Sequence, residues 1–238
     1  MPGPRGLRVP WRSPCETRSM RLHQFPYSPF AAKVRKYLEL KGLSCEIVNV
    51  PYLDRRELVA LTGGTMQIPV LEDGGRVLDE SARITAYLDE VYRPSLREDP
   101  LASVLEGWAD NVLEDVAFRL ATPGVHDRFA ELEGGRRDAP AFFRLVKERK
   151  YGPGCVEGWR SAERALVERL GALLVPIGRA LAARPFILGT RPSLADAAVF
   201  GQLFMVEFGL PGFVEHELPA LSGWYRRVGA AKKVVTES

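Results

Sequence analysis

The positions of the strand-like segments limit what this chain can fold into. Short runs with strand-like patterning occur only in the first hundred residues, and helical patterns separate them. In order, we expect a strand near 21–25, a helix over 29–41, a strand over 45–50, a helix over 54–61, a hairpin over 68–78 and a helix from Ser81 to about Val91. This order, βαβ, then a helix, then ββα, predicts one small α/β sheet.

The remainder of the chain has the pattern of a helical domain. Residues 93–100 are polar, include two prolines and are predicted to be a linker. Beyond them we expect a helix over about 101–120, a loop containing Pro123, Gly124, Gly134 and Gly135, a helix over 140–150, a long helix over 156–183 kinked at Pro176, and a helix from Ser193 to about Phe208. The predicted domains are therefore an α/β domain over 20–92 and an all-α domain over 101–238.

Composition and charge exclude several classes of protein. The chain has 238 residues, of which 46% are hydrophobic and 26% charged, as in an ordinary globular protein. No apolar run approaches the roughly 20 residues that cross a membrane, so we expect a soluble protein with no membrane partner. The net charge of +3 comes from residues 1–20, and the rest has no overall basic field to attract nucleic acid.

The first residues and the cysteines bear on the setting of the protein. Residues 1–19, rich in proline and arginine, are predicted to be a disordered leader; translation from Met20 or a transit segment would account for them. Cys15, Cys45 and Cys155 are odd in number and far apart, so we expect no disulfide framework and a reducing, cytoplasmic setting. The histidines have no spacing that suits a metal, and none is expected.

The stretch YSPFAAKVR contains a candidate catalytic residue. Ser28 followed by Pro29 fits an N-cap and a first helical residue, and capping alone would account for both. The functional interpretation uses the same geometry, because a hydroxyl at the positive end of a helix can donate a hydrogen bond to a thiolate. Tyr27 is the alternative donor, since a phenol also carries an O–H.

The hairpin contains a proline where a strand normally needs a donor. Asp73-Gly74-Gly75 is the expected turn, and Pro69 lies in the first arm. The peptide bond before Pro69 has two possible forms, trans at the edge of the sheet or cis in a tight bend. A cis bond would turn the N–H and C=O of Ile68 outward, where they could pair with an extended peptide.

Two further motifs begin helices. Ser81 is expected to cap the helix after the hairpin, whose free N–H groups also form a carboxylate site. Glu80 beside it could hold an ammonium group, so the pair suits the head of an α-amino acid. Ser193 and Asp196 form a capping box, which we interpret as structural only.

Carrying these motifs in this order, the chain from residue 21 to about 230 resembles the cytosolic glutathione S-transferase superfamily, as a serine-type, bacterial-like member of open class. The resemblance implies a thioredoxin-like first domain that binds glutathione as co-substrate. It implies that Pro69 is the cis-proline, that Ile68 pairs with the cysteinyl unit and that Glu80 and Ser81 hold the γ-glutamyl head. Gln67 would lie near the glycyl end, Ser28 would activate the thiol, and Ser193 and Asp196 would match the family's capping box.

The resemblance also implies an activity, although alternatives stay open. The leading expectation is a transferase that joins glutathione to a small apolar electrophile, with detoxification as its role. The electrophile would lie between the domains, near Tyr27, Phe30, Trp108 or Phe118. A glutathione-dependent thiol reductase or dehalogenase and a non-enzymatic binding or assembly protein are the alternatives. A homodimer through the last helix of the first domain and the first helix of the second is implied. Residues 145–155 match no part of the family pattern.

Overall fold

The computed structural model describes residues 20–230. The expected disordered leader over 1–19 and the end of the helical domain, 231–238, lie outside the described residues. Within residues 20–230 no helix has both the length and the apolar character that a membrane crossing requires.

The first domain is a four-stranded mixed sheet with helices on its faces, as the thioredoxin-like expectation requires. The strands lie in the order β2-β1-β3-β4, with β1 parallel to β2 and antiparallel to β3, and β3 antiparallel to β4. The elements are β1 (Arg21–Gln24), α1 (Pro29–Lys41), β2 (Glu46–Asn49), α2 (Arg56–Thr62), β3 (Val70–Asp73), β4 (Arg76–Asp79) and α3 (Ser81–Val91). The predicted order of elements is confirmed.

The hairpin between β3 and β4 fixes the end of the sheet at which the candidate residues lie. Its turn consists of Gly74 and Gly75, with φ of 55° and 84°, values that favour glycine. The register pairs Val70 with His23 on one side and with Asp79 on the other. The residues just before Val70 and just after Asp79 therefore meet at one end of the sheet.

The core of the first domain lies between the sheet and the helices α1 and α3. Strand residues Leu22 and Leu71 are fully buried, and so are Val34 and Tyr37 of α1 and Ile84 of α3. Burying apolar side chains of this kind contributes about 1.5–3 kcal/mol each. This packing holds both helix starts, at residues 29 and 81, against the sheet.

The second domain is helical, as predicted, apart from one isolated β-bridge between Phe186 and Gly189. Its helices are α4 (Leu101–Trp108), α5 (Glu114–Asp127), α6 (Phe129–Leu132), α7 (Ala139–Tyr151), α8 (Cys155–Ser161), α9 (Glu163–Ala183), α10 (Leu194–Gly209), α11 (Phe213–Glu217) and α12 (Pro219–Ala230). A π-helical segment, Ala109–Leu113, joins α4 to α5 without a break.

The predicted loop is wrong in its first part, because Pro123 and Gly124 both lie inside α5. Pro123 removes one helix hydrogen bond, but Thr122 and Val125 on either side are buried, and the packing of α5 against α10 holds the helix together. Gly124 is needed because a Cβ atom there would lie 2.0 Å from the carbonyl oxygen of Gly209. The glycine marks a close approach of two helices and not the end of one. The later part of the predicted loop is confirmed, because the chain turns at Gly134 and Gly135, with φ of 68° and 86°.

The predicted single helix over 156–183 is also wrong. The chain breaks at Ala162, with φ −93° and ψ 8°, and Pro176 lies within α9. The N–H of Ala162 bonds to the carbonyls of Gly158, at 3.1 Å, and Trp159, at 3.2 Å, which tightens and ends α8. Trp159 and Leu166, on either side of the break, are both buried in the same core. The apolar periodicity therefore continues through the break.

Helix α10 runs through the centre of the molecule and begins at the capping box. Asp196 is fully buried and accepts hydrogen bonds from the N–H of Ser193, at 2.9 Å, and of Ile187, at 3.0 Å, and from Nε1 of Trp224, at 2.8 Å. Burial raises the pKa of Asp196, and these hydrogen bonds oppose the rise. The capping box begins α10, as predicted, and the hydrogen bond from Trp224 also connects α12 to α10.

The same helix packs against the start of α1. A Cβ atom at Gly201 would lie 2.5 Å from the carbonyl oxygen of Pro29, so the two backbones touch. One turn further along α1, the fully buried Lys33 donates to Glu106 of α4, at 3.0 Å, and to Asp110, at 2.5 Å. The start of α1 is thus held by the helical domain as well as by its own sheet.

The stretch predicted as a linker, residues 93–100, packs against both domains. Leu96 is buried, its N–H donates to Asp89 of α3 at 2.9 Å, and its carbonyl accepts from Leu194 at 2.9 Å. Asp89 also accepts from Tyr37, at 2.6 Å, and Lys41, at 2.9 Å. The connection is therefore a fixed part of the structure.

Candidate active site

The residues before β3 present an unpaired backbone at the end of the sheet. The Ile68–Pro69 peptide bond is cis, which was one of the two alternatives for this proline. Val70 begins the ladder to β1 and β4, and within residues 20–230 neither the N–H nor the C=O of Ile68 has a backbone partner. Ile68 is half-buried and Gln67, before it, is exposed. An extended peptide could pair with Ile68 here.

Glu80 and Ser81 lie beside this backbone, because Val70 pairs with Asp79. Glu80 has φ of 64° and ψ of 114°, and among residues 20–230 no other residue except glycines has positive φ. Such a conformation costs of order 1–3 kcal/mol and is found mostly at functional sites. Its side chain is exposed and makes no ion pair with any described residue.

The prediction that Ser81 caps α3 is wrong. Ser81 is the first residue of the helix, and Glu80 occupies the cap position without a side-chain hydrogen bond. The physical reason is the sharp turn at Glu80, whose carbonyl already accepts from the N–H of Ile84 at 2.9 Å. Ser81 is buried, and its N–H belongs to the first turn, whose donors have no partner inside the helix. The first turn of α3 therefore offers free N–H donors beside Glu80, and the carboxylate site stays a prediction.

Ser28 caps α1, as predicted. It has φ −70° and ψ 126°, and its Oγ accepts a hydrogen bond from the N–H of Ala31 at 3.3 Å. The residue is buried, and its hydroxyl hydrogen has no acceptor among the described residues. The hydroxyl can therefore donate to an atom placed beside the helix start, while it goes on capping the helix.

Tyr27 points into an aromatic cluster between the domains. Its ring centre lies 6.0 Å from that of Phe129, 6.3 Å from Phe143 and 6.1 Å from Phe208. Its hydroxyl is buried and has no partner among residues 20–230. Burial raises the pKa of Tyr27 well above its usual value, so the phenol stays neutral. These surroundings favour Ser28 over Tyr27 as the donor.

The other predicted electrophile contacts do not form one cluster with Tyr27. Phe30 is half-buried and lies under the ammonium of Lys33, at 5.9 Å from the ring centre. Trp108 is half-buried and packs against the core of the helical domain. Phe118 packs against Tyr151, with 5.6 Å between ring centres, at the edge of the same core.

Arg55 belongs to the site, and the sequence reasoning missed it. Its Nη1 donates to the carbonyl of Met66 at 2.8 Å, and its Nε donates to the carbonyl of Tyr52 at 3.2 Å. Its guanidinium also lies 4.5 Å from the ring centre of Tyr52, and no described carboxylate pairs with it. Arg55 is thus a cation next to Gln67. One arginine in a polar stretch gives no sequence signal for such a position.

Helix α7 covers the aromatic cluster. Its second half belongs to residues 145–155, which match no part of the family pattern. Phe143 lies 4.2 Å from Phe129 between ring centres. Lys147 lies one turn further along and is half-buried, and its ammonium faces aromatic rings of both domains. Glu133, in the turn after α6, accepts with both carboxylate oxygens from the N–H of Tyr52, at 3.0 and 3.1 Å. These contacts join the helical domain to the loop after β2.

Neither cysteine of the described residues lies at the start of α1, where Ser28 is. Cys45, just before β2, is half-buried, and burial raises the pKa of its thiol to about 12. Cys155, at the start of α8, has a raised pKa for the same reason. In the described part of the chain, no group of three or more His, Cys, Asp and Glu residues has the arrangement of a metal site.

Comparisons with known families agree with this architecture. Residues 22–96 match the family model of the glutathione S-transferase N-terminal domain, and residues 155–227 match that of the C-terminal domain. Glutathione transferase omega-1 of Caenorhabditis elegans is 23% identical over 242 aligned residues, which cover 94% of this chain and 84% of that protein.

Solved structures show the same fold. The structure of a glutathione S-transferase from Rhodospirillum rubrum superposes with a TM-score of 0.63 at 26% identity, covering 89% of this chain and 88% of that one. A glutathione S-transferase of Ceriporiopsis subvermispora, solved in complex with glutathione, superposes with a TM-score of 0.69 at 20% identity, covering 89% and 96% of the two chains. With matches to both domains and a shared fold over nine-tenths of its length, the chain belongs to the cytosolic glutathione S-transferase superfamily.

Proposed function

We propose that this protein is a glutathione transferase that joins the thiolate of glutathione to a small apolar electrophile. The observation that carries the proposal is the Ser28 hydroxyl, with its hydrogen unused, at the same end of the sheet as the unpaired backbone of Ile68. Transferases among the relatives and glutathione bound in solved neighbours support the choice of ligand.

In this proposal the first domain binds glutathione at three places: the backbone of its cysteinyl unit, its γ-glutamyl end and its glycyl end. Ile68 pairs with the cysteinyl unit, which places the sulfur near the start of α1. Glu80 binds the ammonium of the γ-glutamyl head, and the first turn of α3, with Ser81, binds its carboxylate. Gln67 lies at the glycyl end, where the guanidinium of Arg55 supplies a positive charge.

The chemical step is a nucleophilic substitution or addition. The thiol of glutathione releases its proton to solvent, and the hydrogen bond from Ser28 stabilises the thiolate. With an aryl halide the sulfur forms a C–S bond, the carbon–halogen bond breaks, and the halide leaves with its electron pair. Holding both reactants in one cleft supplies the remaining rate enhancement.

The electrophile is proposed to lie between the domains, close to Ser28. Tyr27 and Phe30 flank Ser28 in the chain, and Trp108 and Phe118 belong to the helical side. Their rings provide apolar surface but pack in different clusters of the core. The proposal therefore gives them contact with the electrophile and no part in the chemical step.

Calorimetry with glutathione, followed by a panel of electrophiles, tests the proposal. We expect heat of binding and turnover with a generic aryl halide or an epoxide, and weaker or no activity with a mixed disulfide. No heat and no protection against unfolding would favour a non-enzymatic binding or assembly protein. Turnover confined to the mixed disulfide would favour a reductase.

The reductase or dehalogenase alternative needs a nucleophilic thiol in the first domain. Ser28 occupies the helix start where such a thiol would be placed, and Cys45 holds its proton tightly. Ser28→Cys supplies the thiol with little change in size. A gain of disulfide reductase activity in this variant would show that the site otherwise suits that chemistry.

We further propose a cytoplasmic homodimer with a role in detoxification. Free thiols at Cys45 and Cys155 suit a reducing compartment. Leu101 and Val104 of α4 are apolar and more than half exposed, which supports pairing of α3 and α4 across a dimer. Sedimentation velocity should give a dimer, and Val104→Glu should convert it to a monomer. A wild-type monomer would refute the pairing.

A further inference from the structure

The side chain of Lys147 lies against three aromatic rings and has no acidic partner. Its Nζ lies 4.5 Å from the ring centre of Phe143, 5.0 Å from that of Phe118 and 5.8 Å from that of Tyr52. Among residues 20–230, no carboxylate forms an ion pair with it and no acceptor takes a hydrogen bond from it. An ammonium has three donors, and ring faces satisfy none of them fully.

The charges around Lys147 add to its positive potential. Burial, followed by the nearby charges of Lys150 and Arg55, lowers the pKa of Lys147 to about 8, while Cys155 and Glu114 oppose this. Glu114, the one acid in this group, is itself partly buried, and burial raises its pKa. The ammonium is thus still present at neutral pH, in a region where positive charges outnumber negative ones.

The position of Lys147 connects it to the proposed reaction. Tyr52 lies in the loop after β2, and Phe143 contacts Tyr27, the neighbour of Ser28. Phe118 belongs to α5, on the helical side of the cleft. Phe143 and Tyr52 are buried, so an aryl group would lie against the half-buried ring of Phe118, and the half-buried ammonium of Lys147 can pair with an anionic substituent of that group.

We propose that Lys147 selects electrophiles that combine an aromatic ring with a carboxylate or similar anionic group, the anion pairing with Nζ. This inference rests on the proposed transferase function and names its substrate class. A purely structural lysine, held by cation–π contacts alone, is the alternative, and it would show no dependence on the charge of the electrophile.

Steady-state kinetics with two matched aryl chlorides test the inference on the full chain. The probes are chlorodinitrobenzene and chlorodinitrobenzoate, which differ by a ring carboxylate, with glutathione saturating. We expect a lower KM for the carboxylate compound with the wild-type protein. Lys147→Met, which keeps the length of the side chain, should raise that KM by about tenfold or more and leave the KM for the neutral compound within about twofold. Lys147→Arg should retain the preference.

Arg149→Met is the control, because Arg149 is an exposed cation on the same helix. It should behave as the wild type, which excludes a general effect of charge. The wild-type KM for chlorodinitrobenzoate should rise above about pH 8, where Lys147 loses its proton. Equal changes in both KM values for Lys147→Met, or no wild-type preference, would overturn the inference.

Binding measurements separate this inference from the proposed function. Dinitrobenzoate and dinitrobenzene cannot react, so calorimetry with them needs no turnover. If the wild type converts neither chloride, the transferase proposal fails, and tighter binding of dinitrobenzoate that is lost in Lys147→Met still supports the anion site. Absence of dinitrobenzoate binding to the wild type refutes the site whatever the activity.

Discussion

Replacement of Ser28 by alanine is the most direct test of thiol activation. The hydroxyl accepts from Ala31 and has one free hydrogen, so the variant loses one donated hydrogen bond to the thiolate and one accepted bond from the helix. A hydrogen bond to a charged group contributes about 1.5–3 kcal/mol, which corresponds to about one to two pKa units of the bound thiol. Loss of the cap lowers the free energy of unfolding by about 1 kcal/mol.

The two effects can be separated by a second variant. Ser28→Gly also removes the hydroxyl, but glycine at an N-cap is only a few tenths of a kcal/mol worse than serine. Both variants should raise the pKa of bound glutathione equally, whereas only alanine should lower the melting temperature clearly.

The assay follows the ultraviolet absorbance of the thiolate in the binary complex against pH, together with kcat/KM for an aryl halide. Because the raised pKa leaves less thiolate at low pH, turnover should fall by about tenfold to a hundredfold near pH 6.5 and recover toward pH 9. Glutathione affinity should change little. An unchanged thiol pKa in Ser28→Ala would refute the role of the hydroxyl and transfer it to Tyr27 or to the helix start alone.

Three further variants test other parts of the structure. Asp196→Ala should lower the free energy of unfolding by about 3–5 kcal/mol in urea denaturation, because it leaves buried donors, among them Nε1 of Trp224, without an acceptor; a loss under 1 kcal/mol would contradict this. Glu80→Gln should weaken glutathione binding about tenfold in calorimetry with kcat nearly unchanged, and equal affinity would remove Glu80 from the ammonium site. Burial alone would raise the pKa of Asp89, but hydrogen bonds from Ser95, Tyr37 and Lys41 outweigh it and hold the pKa below its usual value. Its stabilisation is therefore present above about pH 4 and lost as pH falls through the lowered pKa, so Asp89→Asn should destabilise strongly at pH 7 and progressively less below pH 4. A destabilisation independent of pH would contradict that assignment.

Local signals in the sequence were sufficient where the chain itself determines the conformation. Helix α1 begins and ends at the predicted residues because Ser28 and Gly42 supply a cap and a left-handed stop. The hairpin turn is where two glycines permit positive φ at both central positions. In each case, the residue type and its own backbone conformation carry the information.

Predictions were wrong where distant packing overrides a local signal. Gly124 resembles a loop residue, but its lack of a Cβ serves the contact with Gly209, which lies far away in the sequence. Ser81 is of a residue type that often caps helices, but the turn at Glu80 makes Glu80 the N-cap and Ser81 the first residue of the helix. Arg55 and Lys147 could not be singled out, because their lack of an acidic partner is visible only in three dimensions.

The contact between Gly201 and Pro29 makes the position of the start of α1 dependent on the second domain. In a fragment that ended near residue 96, the start of α1 would lose this backbone neighbour, and Lys33 would lose both Glu106 and Asp110. Such a fragment could keep its sheet and still misplace the Ser28 hydroxyl. If Ser28 activates the thiol as proposed, the smallest active unit extends at least to α10, and a transplant of the proposed glutathione site would have to carry that helix with it.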